Sequence, residues 1–219
     1  MSQNSLKRRT GAIVSLKRFV QPERPPKQEI EICELCSQRL APRHRHLFES
    51  ATRAILCACD GCALRFQDVV GGRFQLIPRD ARSLPEFELS EDRWEGLALP
   101  INLAFFFHST PAGKLVALYP SPAGATESLL PLSTWAEIAA TNPSVAGMKP
   151  DVEALLVNRV ARPHRHYLAP IDVCYELVGL IRMHWRGLSG GDSVWSELEG
   201  FFSRLDGDCP AERAEVPCG

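Results

Sequence analysis

Two apolar runs, 101–107 (INLAFFF) and 115–119 (LVALY), flank the turn-forming segment STPAG at 109–113. This pattern predicts a β-hairpin with a longer loop. Upstream, HLFES (46–50) and RAILCA (53–58) are short apolar-containing runs around SAT, and they predict a second hairpin. CALRFQDV (62–69) then reads as the start of a helix, and VVGGRFQLIPRD (69–80) as a strand after a Gly-Gly turn. LSTWAEIAATNPS predicts a helix with Ser133 as N-cap, Glu137 in its first turn and Pro143 as its stop. DVEALLVNRVA (151–161) is compatible with either period, and its ALLVNRV portion reads as a strand.

Helical periodicity is clearest in the last third. Ile171, Cys174, Val178, Ile181 and Trp185 recur at helical spacing, with Pro170 at the first turn and Gly187 at the C′ position. After the break LSGGDS, Asp192 or Ser193 is expected to cap a helix whose Val194, Leu198, Phe201, Phe202 and Leu205 face a core, with Gly207 closing it. The fold class that follows is α+β: a small treble-clef or zinc-ribbon-like N-terminal metal module, then a mixed β-sheet with C-terminal helices. The expected boundaries are a disordered basic tail and Pro-rich linker over 1–29, a four-cysteine metal-binding module over 30–68, an α+β domain over 69–206 and a disordered acidic tail over 207–219.

The 219 residues are 45% hydrophobic and 23% charged with a net charge of -1, which suits a globular body and gives no overall case for nucleic acid or an anionic membrane. The charge is uneven: within residues 1–28, seven lysines and arginines face the single Glu23. A segment with so few apolar residues is expected to be a solvated tail. No apolar run approaches the roughly 20 residues of a membrane span. The paired Arg8 and Arg9 lack the apolar stretch of an export signal, so a cytoplasmic location is expected.

In that compartment clustered cysteines point to metal or redox chemistry more than to structural disulfides. Five of eight cysteines lie between Cys33 and Cys62. Cys33-x-x-Cys36 and Cys59-x-x-Cys62 are two short pairs, each able to point two thiolates at one ion, and together they make a tetrahedral set. Zinc in a closed structural site is the leading reading. Iron or an iron–sulfur cluster suits the same ligands, and a thiol–disulfide switch needs an exposed, thiolate-rich pair. Cys57 makes the run CxCxxC, so it is an alternate ligand to Cys59 or a ligand of a second metal with His44 and His46. The plainer reading of the two histidines is a loop pair that hydrogen-bonds a cysteine sulfur. Cys174 is expected in the core.

Other chemistry is weaker. Glu127, in the polar segment YPSPAGATESLLPL (119–132), is a candidate base, against the plain reading of a connecting loop. His164 and His166, with Asp172 and His184, are candidates for a second metal site or an acid–base pair, against surface or capping roles. RGLSGGDS (186–193) has the glycines of an anion nest but no P-loop lysine, and reads as a helix–helix turn.

Taken together, CELC, HRHL, LCACDGCALRF, PINLAFFF, YPSPAGATESLL, DVEALLVNR and PIDVCYELVGLIRMHWRGLSGG resemble a bacterial family of unknown function encoded beside high-affinity [NiFe] hydrogenases. The resemblance covers roughly residues 30–205. It implies a non-catalytic accessory role in assembly, metal-cluster delivery or electron transfer, with a hydrogenase subunit or maturation factor as protein partner, and it assigns no catalytic residue. The AGATESLL segment and the basic tail are candidate contacts for that partner.

Overall fold

The computed structural model describes residues 31–66, 72–128, 134–187 and 190–209. The expected tail and linker over 1–29, the Ser133 cap and Cys218 lie outside these residues.

The first sheet has three strands in the order β2-β1-β3, with β1 Arg45–Glu49, β2 Ala54–Ala58 and β3 Phe74–Leu76. The hairpin read around SAT is the β1–β2 pair, and helix α1 (Asp60–Phe66) follows it directly. Adjacent residues of β1 point to opposite faces. Leu47 enters a small core with Cys33, Ala58 and Ala63, while Phe48 joins the main core of the molecule. The cysteine segment therefore has apolar support on both sides of its sheet.

The second sheet has six strands in the order β4-β9-β8-β5-β6-β7. These are β4 Arg82–Ser83, β5 Leu103–Ser109, β6 Lys114–Ser121, β7 Gly124–Glu127, β8 Glu153–Asn158 and β9 Arg165–Pro170. The STPAG hairpin is β5–β6, closing at Ser109↔Lys114. Among the described residues every strand pairing is antiparallel, so the expected mixed sheet is corrected. The connections explain it: the linkers β5–β6 and β6–β7 are tight turns, and a parallel pair would need a long crossover.

The central strands are buried on both faces. Phe105 and Phe107 pack with Val116, Leu156 and Tyr167 beneath α4 (Ile171–His184) and α5 (Gly191–Asp208). Phe106, Ala117, Leu155 and Val157 pack on the other side. There they meet Trp94 of α2 (Glu91–Gly96) and Trp135 and Ile138 of α3 (Trp135–Thr141). Each of the three phenylalanines is at most 1% exposed, which at about 1.5–3 kcal/mol per side chain makes this strand the centre of the fold. Double burial is why 103–107 and 154–157 read as unbroken apolar runs instead of alternating ones.

Several local expectations shift. The loop read at 119–132 is in its first part the β6–β7 hairpin, with Tyr119↔Thr126 and Ser121↔Gly124 paired. Pro170 ends β9 and caps α4, whose C-cap is Trp185, and Gly187 comes two residues later with φ 63. Helix α5 starts at Gly191 with Gly190 as N-cap, ahead of the expected Asp192 or Ser193, and runs on to Asp208, past Gly207. Gly190 is required there: its φ is 90, and a Cβ would sit 2.8 Å from Val194 Cγ1.

Candidate metal centre

The first cysteine pair sits on a tight turn. Ser37 N–H donates to the Cys33 carbonyl at 2.7 Å, Cys33 N–H to the Gln38 carbonyl at 2.7 Å, and an isolated bridge joins Ile32 and Arg39. Ser37 takes the left-handed conformation that closes such a turn, with φ 61. The second pair brackets the start of α1: Cys59 follows β2, and Cys62 lies in the first turn of the helix. Cys62 N–H donates to Cys59 Sγ at 3.4 Å, and Ala63 N–H to the Cys59 carbonyl at 2.9 Å. Helix α1 is seated by buried Ala63 and by the edge contact of Phe66 on Phe74.

This packing brings the sulfurs of Cys33, Cys36, Cys59 and Cys62 within 4.8 Å of one another. Cys36 Sγ and Cys59 Sγ are 3.7 Å apart. A disulfide would need about 2.05 Å. Thiolates at about 2.3 Å from one tetrahedral ion would stand roughly 3.8 Å apart. The donor set and its spacing therefore fit a single thiophilic metal ion.

Electrostatics in the cluster are graded. Burial raises the Cys33 thiol, but hydrogen bonds from backbone N–H groups of Cys59, Leu35 and Cys36 outweigh it and bring the pKa down to about 6. Cys62 is pushed up to about 12, first by burial and then by its neighbouring sulfurs. One thiolate is easily held, and each further one is opposed by the first. Four at once need a cation among them.

Cys57 does not join this group. It faces His46 across the β1–β2 pair, and with His44 it forms a second group whose potential ligand atoms lie within 4.8 Å of one another. His44 and His46 meet edge to face, with Nε2 atoms 3.1 Å apart. His46 Nδ1 lies 2.7 Å from Asp172 Oδ2 in the first turn of α4. That carboxylate raises the His46 pKa against the opposing effect of burial. The Cys57 thiol is raised first by burial, then by the carboxylates of Glu31 and Glu34.

The remaining candidates are dispersed. Asp172 is engaged by His46, so it does not assemble a site with His164, His166 and His184. His166 packs on Phe87 with ring centroids 4.9 Å apart, and burial depresses its pKa to about 4. Glu127 is held in ion pairs by Lys114 at 3.3 Å and Arg53 at 3.8 Å. Cys174 is fully buried in the main core, as read from its helical position. A groove of about 500 Å³ beside Pro120, Trp185 and Trp195 is lined by apolar and neutral residues, with neither histidine nor carboxylate among them.

Sequence reasoning considered His46 and Asp172 separately and missed that they meet. Glu31 and Glu34, which flank Cys57 and the histidines, were missed as well. Their only signal was an acidic residue on either side of Cys33 in IEICELC. Among the described residues no helix is long and apolar enough to cross a membrane.

No curated protein and no solved structure matches the chain. A family model does match, over residues 32–209, a span that takes in both cysteine pairs, both sheets and the C-terminal helices; the chain belongs to DUF5947, a family of unknown function.

Proposed function

We propose that Cys33, Cys36, Cys59 and Cys62 hold one zinc ion in a closed structural site, and that the chain is a non-catalytic, metal-binding accessory protein. The observation that carries this reading is the mutual approach of the four sulfurs to within 4.8 Å. Four protein thiolates fill a tetrahedral ion and leave no position for a substrate, so the ion shapes the segment and does no chemistry on a ligand. The order turn, hairpin, helix, with the second pair at the helix start, supports a treble-clef module. Bound zinc would supply cross-linking of two distant turns, and the residues of this chain do the rest: Ser37 closes the first turn, and Ala63 and Phe66 seat the helix.

Iron is the second reading, because mononuclear iron accepts the same four sulfurs. The small spread between sulfurs favours one ion over a cluster, whose ligands bind different metal atoms and must stand further apart. A [NiFe]-hydrogenase subunit or maturation factor as partner, with a cytoplasmic location, completes the proposal; family resemblance is its support. Anaerobic purification without added metal, followed by elemental analysis and an optical spectrum, separates the readings. Zinc gives a colourless protein, and thiolate-bound iron absorbs in the visible.

A further inference from the structure

We propose that His44, His46 and Cys57 form a second, separate metal site that binds one divalent transition-metal ion and leaves a coordination position open to solvent.

The ring nitrogens that face away from the cluster fix where the protons sit. His44 Nδ1 lies 3.1 Å from the carbonyl oxygen of Ala41, which can only accept, so this nitrogen carries a proton. His46 Nδ1 lies 2.7 Å from a carboxylate oxygen of Asp172, so it too carries a proton. In the uncharged form that binds a metal, both Nε2 atoms present lone pairs, and they present them to each other at 3.1 Å. Two lone pairs at this distance repel unless a cation lies between them. Two imidazole nitrogens at about 2.05 Å from one tetrahedral ion would be roughly 3.3 Å apart. The observed spacing is close to that edge.

Cys57 supplies the third ligand. It is the cross-strand partner of His46, and its potential ligand atom lies within 4.8 Å of those of both histidines. Its backbone N–H donates to Glu34 Oε2 at 2.6 Å, and Glu31 Oε2 lies 3.5 Å from His44 Nδ1. Three carboxylates, Glu31, Glu34 and Asp172, thus surround two imidazole rings and a thiol, an environment that favours a divalent cation. Asp172 acts as a positioning residue: it fixes the tautomer and ring orientation of His46 in the manner of a carboxylate–histidine–metal relay.

Two imidazoles and one thiolate suit zinc, cobalt, nickel or copper over magnesium or calcium. Three protein ligands leave a fourth position to water or to an incoming donor, as in zinc sites that exchange ligands. The His46 side chain is 30% exposed and that of His44 is 7%, so solvent reaches the group from the His46 side. The two sites therefore divide the work: one ion is locked in by four sulfurs, and a second is held reversibly next to it.

The test is a titration of the reduced, metal-free full-length chain with zinc, alongside ¹¹³Cd NMR of the cadmium form. Two equivalents and two cadmium resonances are expected. Cys57→Ser and His44→Ala should each lose the second equivalent and its resonance and keep the first. Asp172→Asn should weaken the second site by about 10–100-fold and leave the first unchanged. A chromophoric chelator should strip one equivalent quickly and the other slowly. Circular dichroism of the variants at wild-type strength guards against reading unfolding as ligand loss, and the isosteric Cys57→Ser change serves where His44→Ala fails to fold. One equivalent in the wild type, lost in Cys36→Ser but kept in Cys57→Ser, overturns the second site and leaves the four-cysteine site standing, with a shared proton joining the two rings. One equivalent lost in Cys57→Ser but kept in Cys36→Ser upholds this site and overturns the four-cysteine reading.

Discussion

His46 Nδ1 and Asp172 Oδ2 are 2.7 Å apart although 126 residues separate them in the chain. The bond ties the first strand of the cysteine segment to the first turn of α4, so the segment and the main body share a polar joint beside the apolar one at Phe48. Asp172→Ala should cost about 1–2 kcal/mol, because a half-buried histidine loses a charge-assisted partner. Urea denaturation measures this loss. Hydrogen exchange should speed up in β1 more than in β5. An unchanged midpoint, with β1 amides as protected as before, would show that the contact does not brace the segment.

Asp151 makes a second joint. It is 1% exposed, and its carboxylate accepts from Thr110 N–H at 2.9 Å and from the Gln75 side-chain amide at 3.0 Å. Its φ of 65 is one that asparagine and aspartate tolerate better than other residues with a Cβ. Asp151→Ala takes the carboxylate acceptor from the Thr110 N–H and from the half-buried Gln75 amide and leaves a strained backbone conformation, for an expected loss of about 2 kcal/mol. Asp151→Asn keeps the conformation and one acceptor, and should lose less than half of that. Equal losses for the two variants in chemical denaturation would contradict the assignment.

His166 sets a pH dependence with a definite sign. Burial, with help from the cations of Arg159 and His164, lowers its folded-state pKa from 6.5 to about 4. The unfolded chain therefore takes up a proton that the native state refuses. The contribution to stability is present in full above about pH 6.5 and is lost as the pH falls through about 4. A shift of this size is worth about 2–3 kcal/mol after allowance for a partly exposed ring. His166→Leu removes the titrating group from its apolar seat on Phe87. Its stability should fall by about 2–3 kcal/mol less than that of the wild type between pH 7 and pH 4, as read from urea midpoints. Parallel curves would refute the prediction.

The strength of the periodic signal decided what could be read from the sequence. The β5–β6 hairpin stood out because STPAG interrupts two apolar runs, and α4 because Cys174, Val178 and Ile181 repeat on one face. Strand β7 was missed for a physical reason. Pro120 argues against a strand, yet β5 pairs with β6 only as far as Leu118, so Pro120 has a strand neighbour on one side alone and its missing N–H interrupts no two-sided ladder. The grouping of the four paired cysteines followed from their spacing. The position of Cys57 did not: the run CxCxxC let it stand in for Cys59, but β2 ends at Ala58 and the chain turns into α1, so Cys57 stays on the strand beside His46 while Cys59 joins the other three sulfurs. Apolar support on both faces of β1 was equally hidden, because Phe48 finds its partners in strands and helices far along the chain.

The central claim is that four sulfurs from two distant turns share one ion. Its most direct test is the metal content of the anaerobically purified chain, compared with that of Cys36→Ser, together with limited proteolysis of both. The expected result is that this substitution removes one tightly held zinc. The variant should also become open to cleavage between residues 31 and 44 and around α1, while fragments containing β5 to α5 stay protected. Unchanged zinc content in Cys36→Ser, or a wild type whose metal-free form resists protease at these positions as well as its loaded form, would contradict it.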